Sequence, residues 1–400
     1  MNFDLVVIAG LLASMTALVL FTVKLKLHPF LSLIFASVIF ALISGMNAQE
    51  TIESFTHGMG DAMSEIGIVI ALGTITGVLF EKSGSAETVA KTIFKVFGKS
   101  RAALGLAITG YFVSIPVFCD TAFVILSPLA KRLSKDSKIS MTAMALSLFA
   151  GLHATHILMP PTPGPLSVAG ILNADITSVI LLGAAVAIPV TLVGYAAANI
   201  AGRRFCYLPK DTDDTEDNRV LPSPPAAFLT IMTPIVLMLL KMLGTVFRVP
   251  GGIQSILDVI GTPVIALSIS VIMLALIYAH TYPDDSDAWG FDGIIADSIR
   301  TAGQIVLIVC AGGAFSSVLA ASRLHTTLMS LFSPSAAFGI LAPFMIGFIF
   351  RSCIGSGTVA MVTAATMISP FLEVIGLGSP TGHVIAVLSC AAGSLAVLHG

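Results

Sequence analysis

The chain has 400 residues, of which 56% are apolar and only 10% are Asp, Glu, Lys or Arg, with a net charge of -2. A soluble domain needs roughly a quarter to a third of its surface charged. A soluble enzyme, a nucleic-acid-binding protein and a disordered chain are therefore excluded, and a mean hydropathy of +0.97 points to a polytopic membrane protein.

The N-terminus reads Met-Asn-Phe-Asp and is apolar over 5–23, with Lys24 and Lys26 behind that core. A secretory signal carries its positive charge in front, so a retained first membrane helix is expected, N-terminus outside. Further uncharged stretches suited to about 30 Å of hydrocarbon follow at 29–46, 66–80, 176–201, 226–240 and 263–279. Residues 202–225 hold Arg203, Arg204, Lys210, Arg219 and a run of acids, and read as a cytoplasmic loop between two membrane halves, 1–201 and 226–400.

Lys and Arg stay cytoplasmic in short loops. With the first helix running inward, 15 of the 20 fall on inside segments 22–27, 81–101, 131–138 and 202–222. The outside segments 47–60, 174–177, 248–261, 321–334 and 373–380 carry only Arg248 and Arg323. The apolar stretch 102–130 then enters and leaves on one face. Its 29 residues are too few for two crossings, which take about 40. It is predicted to be a re-entrant helical hairpin whose tip, 114–121, lies near mid-membrane. The alternative is one long kinked helix.

Residues 139–172 contain His153-Ala-Thr-His156 and then Pro160-Pro161-Thr162-Pro163-Gly164-Pro165. Four prolines within six residues cannot sit in a continuous helix, so this element is predicted to unwind near mid-span. The half-helix after the break would offer its positive dipole end to an anion, with Gly164 as a candidate binding residue.

The second half echoes the first. His28-Pro29 compares with Thr262-Pro263, Gly73 with Gly313, the tip Ser114 to Ala122 with Ser352 to Ala360, and Ser127-Pro128 with Ser369-Pro370. The offsets stay between 234 (28 to 262) and 242 (127 to 369). By the charge map the second hairpin, about 336–372, opens from outside. The predicted fold is an all-α polytopic membrane protein of two inverted-topology repeats, each with a re-entrant hairpin and a broken helix, an architecture of secondary transporters.

Charged groups at such depth cost about 2.5–3.5 kcal/mol and must pair, line water or protonate. Asp120 at the first tip is a candidate proton carrier; the plainer reading is a helix cap. Arg351, just before the second tip, has the planar fork that suits a carboxylate, or else pairs with Asp120. His156 can relay protons near neutral pH, while His153 reads as packing. The two His share a helix face without a third ligand, so no metal and no cofactor are expected. The turn Gly355-Ser356-Gly357-Thr358 could cradle a carboxylate or polyol, with Ser114, Thr121 and Thr162 as further hydroxyl partners. Asp61 and Glu65 read as acids beside a helix start, Glu81 as a solvated charge, and the five cysteines as packing residues, with neither disulfide nor zinc spacing.

The stretches from Thr155-His156 through Pro165, Phe118-Cys119-Asp120 with 125–128, Arg351 with 355–360, and His28-Pro29-Phe30 resemble the gluconate permease family. The resemblance covers nearly the whole chain. It implies a proton-coupled secondary transporter, not an enzyme, that takes up gluconate or a related small hydroxy monocarboxylate across the bacterial cytoplasmic membrane. Its partners would be protons, a small organic anion and the lipid bilayer, without nucleic acid, and its assembly a homodimer. A passive channel, a sodium-coupled carrier and a D-serine transporter of the same family are the alternatives. The family pattern runs beyond Gly393-Ser394-Leu395 through a His into an Asn-Asp segment, whereas here the sequence ends at His399-Gly400. A truncated chain lacking one half-site is expected on that comparison.

Overall fold

The computed structural model describes residues 3–209, 220–283, 285–290, 292–322, 339–354 and 356–396. Parts of four expectations lie outside them: 210–219 of the polar loop, 323–334 of the outside segment with Arg323, 336–338 and Gly355 of the second hairpin, and His399. The described residues are helical throughout, joined by turns.

α1 (Phe3–Val19) continues through a π segment to Lys24. α2 (Pro29–Ile43) opens with Pro29 at the first helical position, where its missing N–H is no loss, and His28 Nδ1 accepts from Phe30 N at 3.4 Å. α3 (Ala48–Ala62), a π segment at Met63–Gly67 and α4 (Ile68–Lys82) make one continuous run. The segment 47–60, assigned to the outside, is thus helical. Asn47 Oδ1 caps it by accepting from Gln49 N at 3.0 Å, and no proline interrupts the chain between Pro29 and Pro116. Asp61 and Glu65 accordingly sit within a helical run, not beside a helix start.

The basic segment 81–101 holds α5 (Ser85–Phe97), with Ala86, Val89, Ala90 and Ile93 buried and Lys91 and Lys95 exposed. Glu81, expected to be solvated, is half-buried at the end of α4. α6 (Ala102–Val113) and α7 (Cys119–Ser137) are joined by a short turn. Lys99 Nζ lies 3.5 Å from Asp136 Oδ2, so the two arms begin and end together. α7 runs past the expected limit at 130, because nothing in 131–137 breaks a helix and charged residues there can meet water. It stops at Lys138 in the left-handed region (φ 57).

α8 (Met141–Leu158) is capped by Ser140, whose Oγ accepts from Thr142 N at 3.2 Å, and ends before the proline cluster. The chain resumes as α9 (Pro163–Ile171) and then α10 (Ile176–Arg204). The predicted break is therefore present, and every residue from 151 to 169 is buried. Non-helical backbone at membrane depth is tolerated only when covered in this way. α11 (Pro224–Val246), α12 (Gly251–Ile260), α13 (Pro263–Thr281), α14 (Ile294–Ala321), α15 (Leu341–Ile354), α16 (Gly357–Ile368) and α17 (Pro380–Leu395) complete the order. Among the described residues seven helical runs are long and apolar enough to span a bilayer, including Ala48–Lys82, Met141–Ile171 and Asp287–Ala321. Val193, Ile200 and Leu276 are exposed on such runs, as lipid-facing side chains would be.

The chain forms two compact units. One contains Met1–Ile70, Pro163–Val179 and Thr301–Gly400; the other contains Ala71–Thr162 and Ile180–Arg300. Within the first, α15 packs on α16 and α17, and α9 packs on both α16 and α17. Within the second, α6 packs on α5 and α8, α7 on α8, and α11 on α13. In each unit glycines bring helix backbones into contact, and one such pair in each unit is matched by the other. A Cβ on Gly151 of α8 would overlap Ala107 O of α6, and one on Gly110 would meet Leu148 O. Likewise a Cβ on Gly393 of α17 would overlap Phe344 O of α15, and one on Gly347 would meet Cys390 O.

Candidate functional site

In the unit built from Ala71–Thr162 and Ile180–Arg300, the α6–α7 turn faces the last turns of α8. Ser114 caps α6 and its Oγ donates to Val117 O at 3.0 Å, which closes the turn. The Phe118 ring lies 5.6 Å from the His156 ring. Asp120 is exposed in the first turn of α7, where a carboxylate meets the positive end of the helix dipole. Thr121 beside it is half-buried. Cys119 Sγ stands 3.5 Å from Asp120 Oδ1 and 3.8 Å from His153 Nδ1. The sequence reading missed this link, although Cys119, Asp120 and His153 each stood out in it. His156 is buried. Thr162 is also buried, and its Oγ1 donates to His156 O at 2.9 Å and Met159 O at 2.7 Å. That hydroxyl thus occupies carbonyls that the broken helix leaves without amide partners.

In the other unit, α9 and α16 lie side by side in the same direction. At their N-terminal ends a Cβ on Gly164 would stand 2.7 Å from Met361 Sδ and 3.4 Å from Thr358 Oγ1. At their C-terminal ends Ser369 Oγ, just after α16, donates to Ile171 O at 3.4 Å. The positive dipole ends of both helices therefore meet at Gly164, Gly357 and Thr358. Ser356 caps α16, its Oγ accepting from Val359 N at 3.5 Å. Gly357 is buried, and Ser394 of α17 donates from Oγ to Gly357 O at 2.9 Å, which fixes this end of α16. Thr358 is half-buried and Ser356 exposed. Arg351 is half-buried in the last turn of α15, where a cation suits the negative helix end.

The same unit has a pocket of about 210 Å³ lined by Asp61, Glu65, Asn173, Gly313, Ser316 and Ser317. Asp61 Oδ2 there is 2.7 Å from His57 Nδ1. Among the described residues, no three His, Cys, Asp or Glu side chains are grouped to hold a metal ion.

The sequence model of the GntP family permease matches residues 5–399. The gluconate permease of Pseudomonas aeruginosa is 30% identical, covering all of this chain and 89% of its own length. The D-serine transporter DsdX of Escherichia coli K12 is 31% identical, covering 98% of this chain and 89% of its own. The solved structure of MtrF from Neisseria gonorrhoeae, described within a class of antimetabolite efflux pumps, superposes with a TM-score of 0.61. It covers 86% of this chain and 72% of its own at 16% identity, a likeness of fold.

Proposed function

Because the chain belongs to the GntP permease family, we propose that it is a proton-coupled symporter that takes up gluconate or a related small hydroxy monocarboxylate. It is a multi-pass transporter of the bacterial inner membrane, and not an enzyme. The observation that carries the reading is the pair of parallel helices α9 and α16, whose N-termini meet at Gly164 and Thr358. Each such end carries about half a positive charge and contributes roughly 0.3–1 kcal/mol to a neighbouring anion, more when partly buried. Two ends side by side suit one carboxylate. Arg351 supplies the permanent counter-charge, Ser356 and Thr358 bind substrate hydroxyls, and Ser114, Thr121 and Thr162 are further hydroxyl partners. Asp120 and His156 hold and release the coupling proton.

The proposed architecture is two inverted-topology repeats, in membrane halves 1–201 and 226–400 flanking the cytoplasmic loop 202–225, assembled as a homodimer. The hairpins α6–α7 and α15–α16 are re-entrant. In support, the 12 residues of α6 reach only about 18 Å, short of the ~30 Å core, and Lys99 meets Asp136 where the arms begin and end. The glycine locks also recur in register, Ala107 and Gly110 to Phe344 and Gly347 at an offset of 237, Leu148 and Gly151 to Cys390 and Gly393 at 242. D-serine transport is a second reading favoured by the 31% identity with a D-serine transporter. D-serine likewise presents one carboxylate and a hydroxyl.

The test is accumulation of labelled gluconate in proteoliposomes with an imposed proton gradient. Symport predicts uphill uptake abolished by a protonophore. It also predicts that Asp120→Asn loses accumulation but keeps substrate exchange. Accumulation indifferent to the proton gradient would leave a sodium-coupled carrier, and only downhill flux a channel. D-serine replacing gluconate in a competition panel would decide the substrate.

A further inference from the structure

We propose that Asp120, Cys119 and His153 act as one proton-holding unit, in which His153 sets the pH at which the transporter is loaded. The inference deepens the symport reading and rests on it. Three distances carry it, one within α7, one between α7 and α8, and one within α8. Cys119 Sγ lies 3.5 Å from the Asp120 carboxylate and 3.8 Å from the His153 imidazole. The His153 ring stacks on Phe149 at 5.1 Å with the planes 15° apart, which fixes its edge toward the sulfur. Cys119 and His153 are each only 5% exposed, while Asp120 reaches the open side of the turn.

A thiol donates one weak hydrogen bond and accepts another. Before loading, Cys119 S–H donates to His153 Nδ1; when Asp120 binds a proton and passes it to the sulfur, the thiol proton moves to Nδ1, so that in the loaded state Cys119 S–H donates to Asp120 and its sulfur accepts from Nδ1–H. A buried imidazolium is costly unless an opposite charge is near, and Asp120 supplies that charge one sulfur away. Gaining a proton takes the carboxylate–imidazole pair from a net charge of -1 to 0, and releasing it reverses the change. Only N–H, S–H and O–H bonds are made or broken. In this arrangement the proton is taken up at exposed Asp120 and stored at buried His153.

Few other ionisable groups on the packed elements compete. α8 itself adds His156, which faces Phe118. α6 presents Tyr111, whose OH donates to Ala184 O at 3.0 Å. Lys131, Arg132 and Lys135 stand roughly three to four turns further along α7. Arg203 and Arg204 of α10 lie near Gly202, which packs on Ala143 at the opposite end of α8.

The pH dependence of KM for gluconate, measured in proteoliposomes at fixed membrane potential, tests the unit. His153→Phe keeps a ring to stack on Phe149 but removes both nitrogens. Imidazole is the side chain that ordinarily ionises near neutral pH, so its loss should move the midpoint toward acid by at least about one unit. A packing role instead predicts a His153→Phe profile superimposable on the wild type, which would overturn the proposal. Should that variant fail to insert, Cys119→Ala decides: a smaller acid shift supports the unit, and an unchanged midpoint overturns it. Cys119→Ser, which can still donate and accept, should return to the wild-type midpoint. Wild-type uptake that ignores the proton gradient would bring down symport itself, an outcome distinct from coupled transport with an unmoved midpoint.

Discussion

The convergence of α9 and α16 makes Gly164 the most informative single position. In Gly164→Ala the new methyl would lie 2.7 Å from Met361 Sδ and 3.4 Å from Thr358 Oγ1. Met361 is fully buried, so its thioether has little room to retreat. Overpacking of this kind costs about 1–3 kcal/mol. The helices can relieve it by parting at their N-terminal ends, which lowers the field at the point between them. If about 1.4 kcal/mol of that cost appears in the bound state, affinity falls about tenfold. The assay is equilibrium binding of labelled gluconate to purified protein, with thermal unfolding followed in parallel. Met361→Val removes the sulfur that the methyl would strike, so the double variant should recover part of the lost affinity, a coupling that distant sites do not show. Binding within twofold of wild type in Gly164→Ala, at normal abundance and thermal stability, would refute the paired-dipole site. An equal loss in the double variant would show that the sulfur contact does not transmit the effect.

Arg351→Gln should weaken carboxylate binding at least about tenfold, since hydrogen bonds to charged groups contribute roughly 1.5–3 kcal/mol, with Arg351→Lys intermediate because it loses the fork; unaltered affinity in correctly inserted Arg351→Gln protein would remove Arg351 from the anion site. Cysteines introduced at Lys99 and Lys135 should both be labelled from the cytoplasm, and those at Gly58 and Ser379 from outside; labelling of position 135 from outside would end the re-entrant reading. Gly151→Ala and Gly393→Ala should each destabilise the folded protein by about 1–3 kcal/mol in thermal unfolding in detergent, because either methyl meets a backbone carbonyl that cannot swing away; two variants as stable as wild type would contradict the close packing of α6 on α8 and of α15 on α17.

Much of the fold could be read from local chemistry. The prolines from Pro160 to Pro165 dictate a break wherever they occur, and Pro29, Pro263 and Pro380 mark helix starts because each takes a first-turn position. The run through α3 was hidden, since Gly58 and Gly60 and its mixed polar face resemble a loop until Asn47 is recognised as the cap. α5 was obscured by its charge: Lys91 pairs with Glu87 at 2.8 Å on a water-facing side while the apolar side packs inward. The site was legible as residue types but not as partnerships. Cys119 and His153 are separated by 34 positions, and Gly164 meets Thr358 across a still longer stretch of chain. Single-sequence periodicity carries no information about such pairings, which depend on how helices cross.

The junction of α9 and α16 has a further consequence, for how such a protein can change what it carries. On the proposed reading, its attraction for an anion would come from peptide groups and from the absence of a side chain at Gly164 and Gly357, features that substitutions elsewhere leave intact. An anchor made of main chain recognises one end of a molecule and is indifferent to the rest. Cargoes that share a single carboxylate can then be exchanged through changes in the surrounding hydroxyl and apolar side chains, without rebuilding the anchor. Discrimination among them should therefore map to residues outside the junction, and variants at the junction should lose every cargo alike.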